Sequence, residues 1–212
     1  MRPKLFSDLA TMYALGRWLG PWTATNVAPP NVERREVIVE ALTSNERSFP
    51  SFVYRSLADK PPVGSLLLVP GLHFLGPLDP RMDRFARILA AAGLVVLAPR
   101  LPDFTSLILD ERVFDDTLRA WKTLECLPDR PDAPPGVFSI SFGSLPSLWL
   151  ASKSPAAGSV GSLIVFGGYA DFTDTLRFCL EGRPGVAHDP LNRPVVFMNL
   201  MPYLDGRPED SA

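Results

Sequence analysis

The apolar positions of this chain fall into short runs that proline or glycine closes, and the spacing within each run predicts its element. From Glu33 to Glu40 charged and branched residues form a strand pattern, and Phe52-Val53-Tyr54 after Pro50 reads as its antiparallel partner in a hairpin at a sheet edge. Gly64 to Val69 is continuously apolar and ends at Pro70-Gly71, as expected of a strand buried on both faces. In Arg81 to Ala92, Met82, Phe85, Ile88 and Leu89 recur at helical spacing, and Gly93 follows where a helix ends. Leu94 to Ala98 is the next buried strand. Val113, Leu118, Trp121 and Leu124 then stripe a helix over Glu111 to Leu127. Gly136 to Ile140 reads as a third parallel strand, the segment after Ser141 as a helix, and Ser162 to Phe166 as a fourth strand closed by Gly167-Gly168. Beyond it, Leu191 to Leu204 reads as a helix interrupted by Pro202, with Val195 to Met198 as a fifth parallel strand the other reading.

Strands alternating with helices predict a three-layer α/β/α sandwich with a mostly parallel sheet. Residues 31–171 would form its core, 1–30 an N-terminal arm and 172–212 a C-terminal or cap-like segment. In the arm, Leu5, Leu9, Met12, Tyr13, Leu15 and Trp18 can share one face of a short helix. That face suits docking on the domain, or else a membrane surface. Trp18 and Trp22 are expected to be buried against the sheet rather than to mark an interface.

Composition narrows the function. With 21 Lys and Arg against 23 Asp and Glu, net charge −2, the chain has no basic stripe for nucleic acid. The 23 prolines sit between the apolar runs and punctuate them rather than signal disorder. Two cysteines, Cys126 and Cys179, make neither a zinc site nor a disulfide framework, and they fit a reducing, cytoplasmic setting. No apolar stretch reaches the roughly 20 residues of a membrane-spanning helix, and no signal-peptide pattern is present. No metal or cofactor is expected. The glycines of Gly71 to Gly76 resemble a phosphate loop, but Pro77 and Leu78 stand where Lys and Ser/Thr are required, and no dinucleotide fingerprint follows a strand.

The chemistry-bearing feature is Gly136-Val137-Phe138-Ser139-Ile140-Ser141-Phe142-Gly143, a strand running directly into a helix with small residues two before and two after Ser141. A sharp strand-to-helix turn presents such a hydroxyl above the sheet, and the helix start offers N–H groups to a developing negative charge. This resembles the nucleophile elbow of the α/β-hydrolase superfamily, over about Glu33 to Asp171. The resemblance implies Ser141 as nucleophile and the Phe142 N–H as one oxyanion-hole donor. It matches Val69-Pro70-Gly71-Leu72-His73 to the loop supplying the second donor, the Leu72 N–H, and Ala98-Pro99-Arg100-Leu101-Pro102 to the proline-bearing exit of the next strand.

Two substitutions depart from the commonest family pattern, Ser139 for Gly and Pro70 for His. Family members also place the acid after the sixth or seventh strand and the histidine after the eighth, whereas this chain has only His73 and His188. It therefore reads as an N-terminal part of a longer enzyme or as a shortened member. The order Ser141, Asp171, His188 repeats nucleophile, acid, base, and Asp205 is a further candidate acid. His73 could touch substrate, although a solvated or hydrogen-bonded loop histidine is the simpler reading. Phe166, Tyr169, Phe172 and Phe178 either line an acyl pocket or simply pack. Asp110, Glu111, Asp115 and Asp116 read as a solvated helix start rather than a metal site, and Cys179 as a buried structural thiol.

The sequence thus points to a serine hydrolase acting on a small-molecule ester or related carbonyl. The alternatives are a non-catalytic scaffold that kept the elbow and an inactive fragment of a longer hydrolase. A sheet lacking its last strands would expose an edge through which the chain could dimerise.

Overall fold

In the computed structural model of the chain, residues 9–13, 15–16, 19 and 27–203 are described. Six strands, β1 (Val32–Val39), β2 (Phe49–Ser56), β3 (Gly64–Val69), β4 (Leu94–Pro99), β5 (Gly136–Ile140) and β6 (Ser162–Phe166), make one sheet in the order β1-β2-β4-β3-β5-β6. The β1–β2 and β2–β4 pairs are antiparallel, and the pairs among β4, β3, β5 and β6 are parallel. The predicted mixed sheet and the edge hairpin are both present. Strand β2 starts earlier than predicted, running through Pro50. That proline lies outside the β2–β4 register, which begins at Ser51, so the missing N–H costs no ladder bond there.

The run in β3 is continuously apolar because the strand's alternation delivers successive residues to two different layers. Leu66 and Leu68 join Phe52, Tyr54, Val96 and Ala98 in one cluster with Met82, Phe85, Ala86 and Leu89 of helix α1 (Pro80–Ala91). Leu67 and Val69 join Val53, Val95, Leu97 and Val137 in the other, with Val113, Trp121 and Leu124 of helix α3 (Arg112–Glu125) and Leu150 of helix α4 (Ser144–Ser152). Helix α1 starts at Pro80 with Asp79 as its cap, whose carboxylate accepts the Arg81 N–H at 2.9 Å. Trp121 is fully buried, with its indole N–H donated to the Ser159 hydroxyl. A one-turn helix α2 (Pro102–Thr105), which no pattern predicted, follows β4.

Charges fasten the hairpin on both faces of the sheet. On one, Asp83 of α1 accepts from Arg34 at 2.8 Å, Tyr54 at 2.9 Å and Arg87 at 2.8 Å. On the other, Asp116 of α3 pairs with Arg119 and Arg47, while the Arg119 guanidinium also donates to the carbonyls of Glu40 and Arg47. Asp116 is thus part of a buried structural network.

After β6 the chain forms α5 (Phe172–Glu181) and α6 (Asn192–Leu200), the latter running into a 3-10 turn at Met201–Tyr203 that contains Pro202. The helical reading of this region holds, and the strand reading is corrected. Asn199 ties α6 to the loop after α2, accepting from Leu109 N–H at 2.7 Å and donating to the Leu107 carbonyl at 2.9 Å. Among the described residues β6 is the sheet's outer strand, with Ile164 50%, Val165 39% and Phe166 66% exposed. Near the N-terminus residues 9–13 and 15–16 are helical. Leu15 rests against the α1-side core, whereas Leu9, Met12 and Tyr13 are exposed. Leu5, Trp18 and Trp22 lie outside the described residues, as does Asp205. No helix among the described residues is long and apolar enough to cross a membrane.

Candidate active site

Strand β5 lies between β3 and β6, so its C-terminal end opens at the middle of the parallel part of the sheet, where this class of fold places its ligands. The chain leaves β5 at Ser141 with φ +51°, one of only two non-glycine residues among those described that adopt positive φ. A serine held there is strained, and the strain is retained because the surrounding backbone fixes it. A 3-10 turn over Ser141–Gly143 then leads into α4.

The small neighbours of Ser141 have separate physical reasons. Ser139 is fully buried and donates its hydroxyl to the Ile164 carbonyl at 3.3 Å, so only a small side chain fits between β5 and β6. A Cβ on Gly143 would stand 2.4 Å from the Pro70 carbonyl oxygen and 3.0 Å from that of Val69. A Cβ on Gly71 would stand 3.2 Å from the Ser141 Cβ. Elbow and loop are therefore in backbone contact, and Leu72 is brought next to the elbow through Gly71. Among the described residues no acceptor takes the N–H of Leu72 or of Phe142.

On the other side of Ser141 stands the loop after β6, whose aromatic residues the sequence reads as either pocket lining or packing. Gly167, at φ +65°, turns the chain out of β6, and a Cβ on Gly168 would stand 2.4 Å from the Val165 side chain and 3.0 Å from that of Ser144. This close approach carries Tyr169 to the elbow. Its ring lies 5.1 Å from that of Phe142 and 6.1 Å from that of Phe172. Burial pushes its phenol well above the ordinary tyrosine range, opposed by the neighbouring Ser141 hydroxyl. Phe166 is mostly exposed and Phe178 meets His188, so the four aromatic residues do not form one pocket wall.

The proposed relay is not assembled. Asp171 caps the N-terminus of α5, accepting the Asp174 N–H at 3.0 Å. His188 sits at the other end of that helix, its Nε2 facing the carbonyl oxygens of Cys179 at 2.8 Å and Phe178 at 3.2 Å. Ten residues of helix, about 15 Å at 1.5 Å per residue, separate the two ends. His73 is also engaged: its Nδ1 accepts the Leu75 N–H at 3.2 Å, and its Nε2 faces Asp79 at 3.6 Å. Arg81, with a smaller contribution from His73, holds the Asp79 carboxyl below the usual range. The sequence has no third histidine.

Cys179 is buried, which pushes its thiol up and leaves it a structural side chain, as expected. Asp110 accepts from Arg112 at the start of α3. No group of metal-ligating side chains occurs among the described residues.

No protein-family profile matches the chain, and no curated protein matches it either. Solved structures do. Brefeldin A esterase, a bacterial homologue of human hormone sensitive lipase, superposes with TM-score 0.57 at 16% identity, over 91% of this chain and 59% of that one. A dienelactone hydrolase-like promiscuous phosphotriesterase from metagenomic libraries gives 0.52 at 16% identity, over 79% and 95%. The Pyrococcus horikoshii acylaminoacyl peptidase gives 0.53 at 15% identity, over 72% of this chain and 26% of the peptidase. The chain has the α/β-hydrolase fold, a six-stranded, mostly parallel sheet flanked by helices.

Proposed function

We propose that this α/β-hydrolase-fold chain is a serine hydrolase that acts on a small-molecule ester or related carbonyl in the cytoplasm. Ser141 is the nucleophile, and the Leu72 and Phe142 N–H groups receive the oxyanion. The observation that carries the reading is the strained Ser141 backbone, held by a Gly143 too close to the Pro70 carbonyl for any side chain. A fold keeps such strain where it presents a reactive group. Attack joins the Ser141 Oγ to the carbonyl carbon as the Ser141 O–H bond breaks and its proton passes to solvent, and it moves the carbonyl electron pair onto oxygen, where free N–H donors are worth about two to three powers of ten in rate each.

One observation favours a second reading, a non-catalytic scaffold: both histidines are bonded elsewhere, and a serine without a base is a weak nucleophile. Labelling by a fluorophosphonate probe separates the two. The folded wild-type chain should form a covalent adduct, Ser141→Ala should lose it, and His188→Ala should keep it, since that imidazole serves the end of α5. A wild-type chain that is folded by circular dichroism and unlabelled would establish the scaffold instead.

A further inference from the structure

We propose that Tyr169 is a positioning residue for Ser141, its phenol O–H donating a hydrogen bond that fixes the serine oxygen in one orientation and lowers that oxygen's proton affinity. The inference rests on the reading of Ser141 as nucleophile.

Four observations converge on it. The Tyr169 hydroxyl oxygen is buried without a partner at full hydrogen-bond geometry. A buried hydroxyl in that state costs about 1–3 kcal/mol, so something must use it. Backbone and rings bring it to the serine: Phe142, the residue after Ser141, packs against Tyr169, Gly168 abuts Ser144, and Ser141 is the hydroxyl side chain that acts on the phenol. The Tyr169 ring is held by Phe142 at 5.1 Å and Phe172 at 6.1 Å, with those two rings 6.2 Å apart, so the phenol has a fixed place. Finally, neither imidazole takes the place beside Ser141.

The direction of the bond is set by the charge that grows on the Ser141 oxygen, to which, of the two hydroxyls, only the phenol O–H can donate. Burial keeps the phenol protonated, so at neutral pH it donates and cannot accept the serine proton. Cys179 on α5 is the other ionisable group acting on it, and that thiol, also kept protonated by burial, contributes no charge. The bond tightens as charge grows on the Ser141 oxygen, because hydrogen bonds to an ionised acceptor are shorter and about twice as strong. No proton passes to or from Tyr169.

The test is Tyr169→Phe, which keeps the ring and removes only the hydroxyl. With a fluorophosphonate probe the Oγ–P bond forms, the P–F bond breaks, fluoride leaves and the serine proton passes to solvent. The variant should label about 10- to 100-fold more slowly, the range expected for one charge-assisted hydrogen bond. Its labelling should also require a higher pH, by about one to two units, a shift that a packing role would not produce. Wild-type rate and pH profile in Tyr169→Phe would overturn the proposal. A urea-unfolding cycle over Tyr169→Phe, Ser141→Ala and the double variant judges the pair independently of reactivity. Non-additive losses are expected and additive ones would refute the pairing. If the wild-type chain does not label, the hydrolase reading fails, and the cycle still decides whether Tyr169 and Ser141 are bonded.

Discussion

Replacing Gly143 by alanine adds one carbon at the place where the Ser141 turn and the loop after β3 touch. The residue has φ −60° and ψ −17°, helical values that alanine adopts without strain, so any penalty comes from contact alone. The added Cβ would stand 2.4 Å from the Pro70 oxygen and 3.0 Å from the Val69 oxygen, both backbone atoms without a rotamer to turn away. Relief requires a backbone shift approaching 1 Å, and overpacking of this kind costs about 1–3 kcal/mol. Alanine's helix preference returns at most about 1 kcal/mol. A net loss of about 1–2 kcal/mol lowers the melting temperature by roughly 2–8 °C for a domain of this size. Reactivity should suffer more, because a 1 Å misplacement of catalytic groups can cost about a hundredfold. The assay pairs thermal melts with fluorophosphonate labelling rates, using Gly158→Ala as control, since a Cβ there meets nothing within 4 Å. If Gly143→Ala melts and labels like the control, the contact between Gly143 and Pro70 is not what holds the elbow.

Two further perturbations address the scaffold. Asp83 feels burial, which raises its pKa, but hydrogen bonds from Arg87, Tyr54 and Arg34 outweigh it and hold the carboxyl below its ordinary range. Its stabilisation is therefore complete above about pH 5 and lost as pH falls through the lowered value. Asp83→Asn should cost about 1.5–3 kcal/mol in urea at pH 7, with the gap to wild type closing below about pH 4, and a pH-independent gap would contradict this. Asp116→Ala strips the buried Arg119 of its closest carboxylate, at 2.5 Å. Breaking such a pair costs about 3–5 kcal/mol, here toward the lower end because Arg119 keeps two carbonyl acceptors, and a melting temperature within 2 °C of wild type, a shift worth about 1 kcal/mol or less, would show the network to be unimportant.

What the sequence discloses depends on whether a signal repeats along the chain. Leu66 to Val69 and Leu94 to Ala98 announce their strands because both layers demand apolar residues, and the prolines and glycines after them mark the sheet's C-terminal edge. Ser141 is legible for the same reason, since small residues at fixed offsets record a local turn. Helix α5 was not foreseen, and with it went the geometry of the relay: Asp171 and His188 stand in the expected order, but the intervening helix holds them at opposite ends. Order along a chain carries no distance. Tyr169 showed only as one of four aromatic residues with two fates, because a single loop tyrosine has no period and its partner lies 28 positions away.

The outer strand β6 has a consequence for how the protein behaves at high concentration. Ser162-Leu163-Ile164-Val165-Phe166 contains no charge, no proline and no bulge, the devices that usually keep a free edge from accepting a foreign strand. Solubility of this chain should therefore fall with crowding and with ionic conditions that favour apolar burial. A single lysine in place of Ile164, half exposed and in mid-strand, would act as a gatekeeper and extend the usable concentration range without touching the elbow.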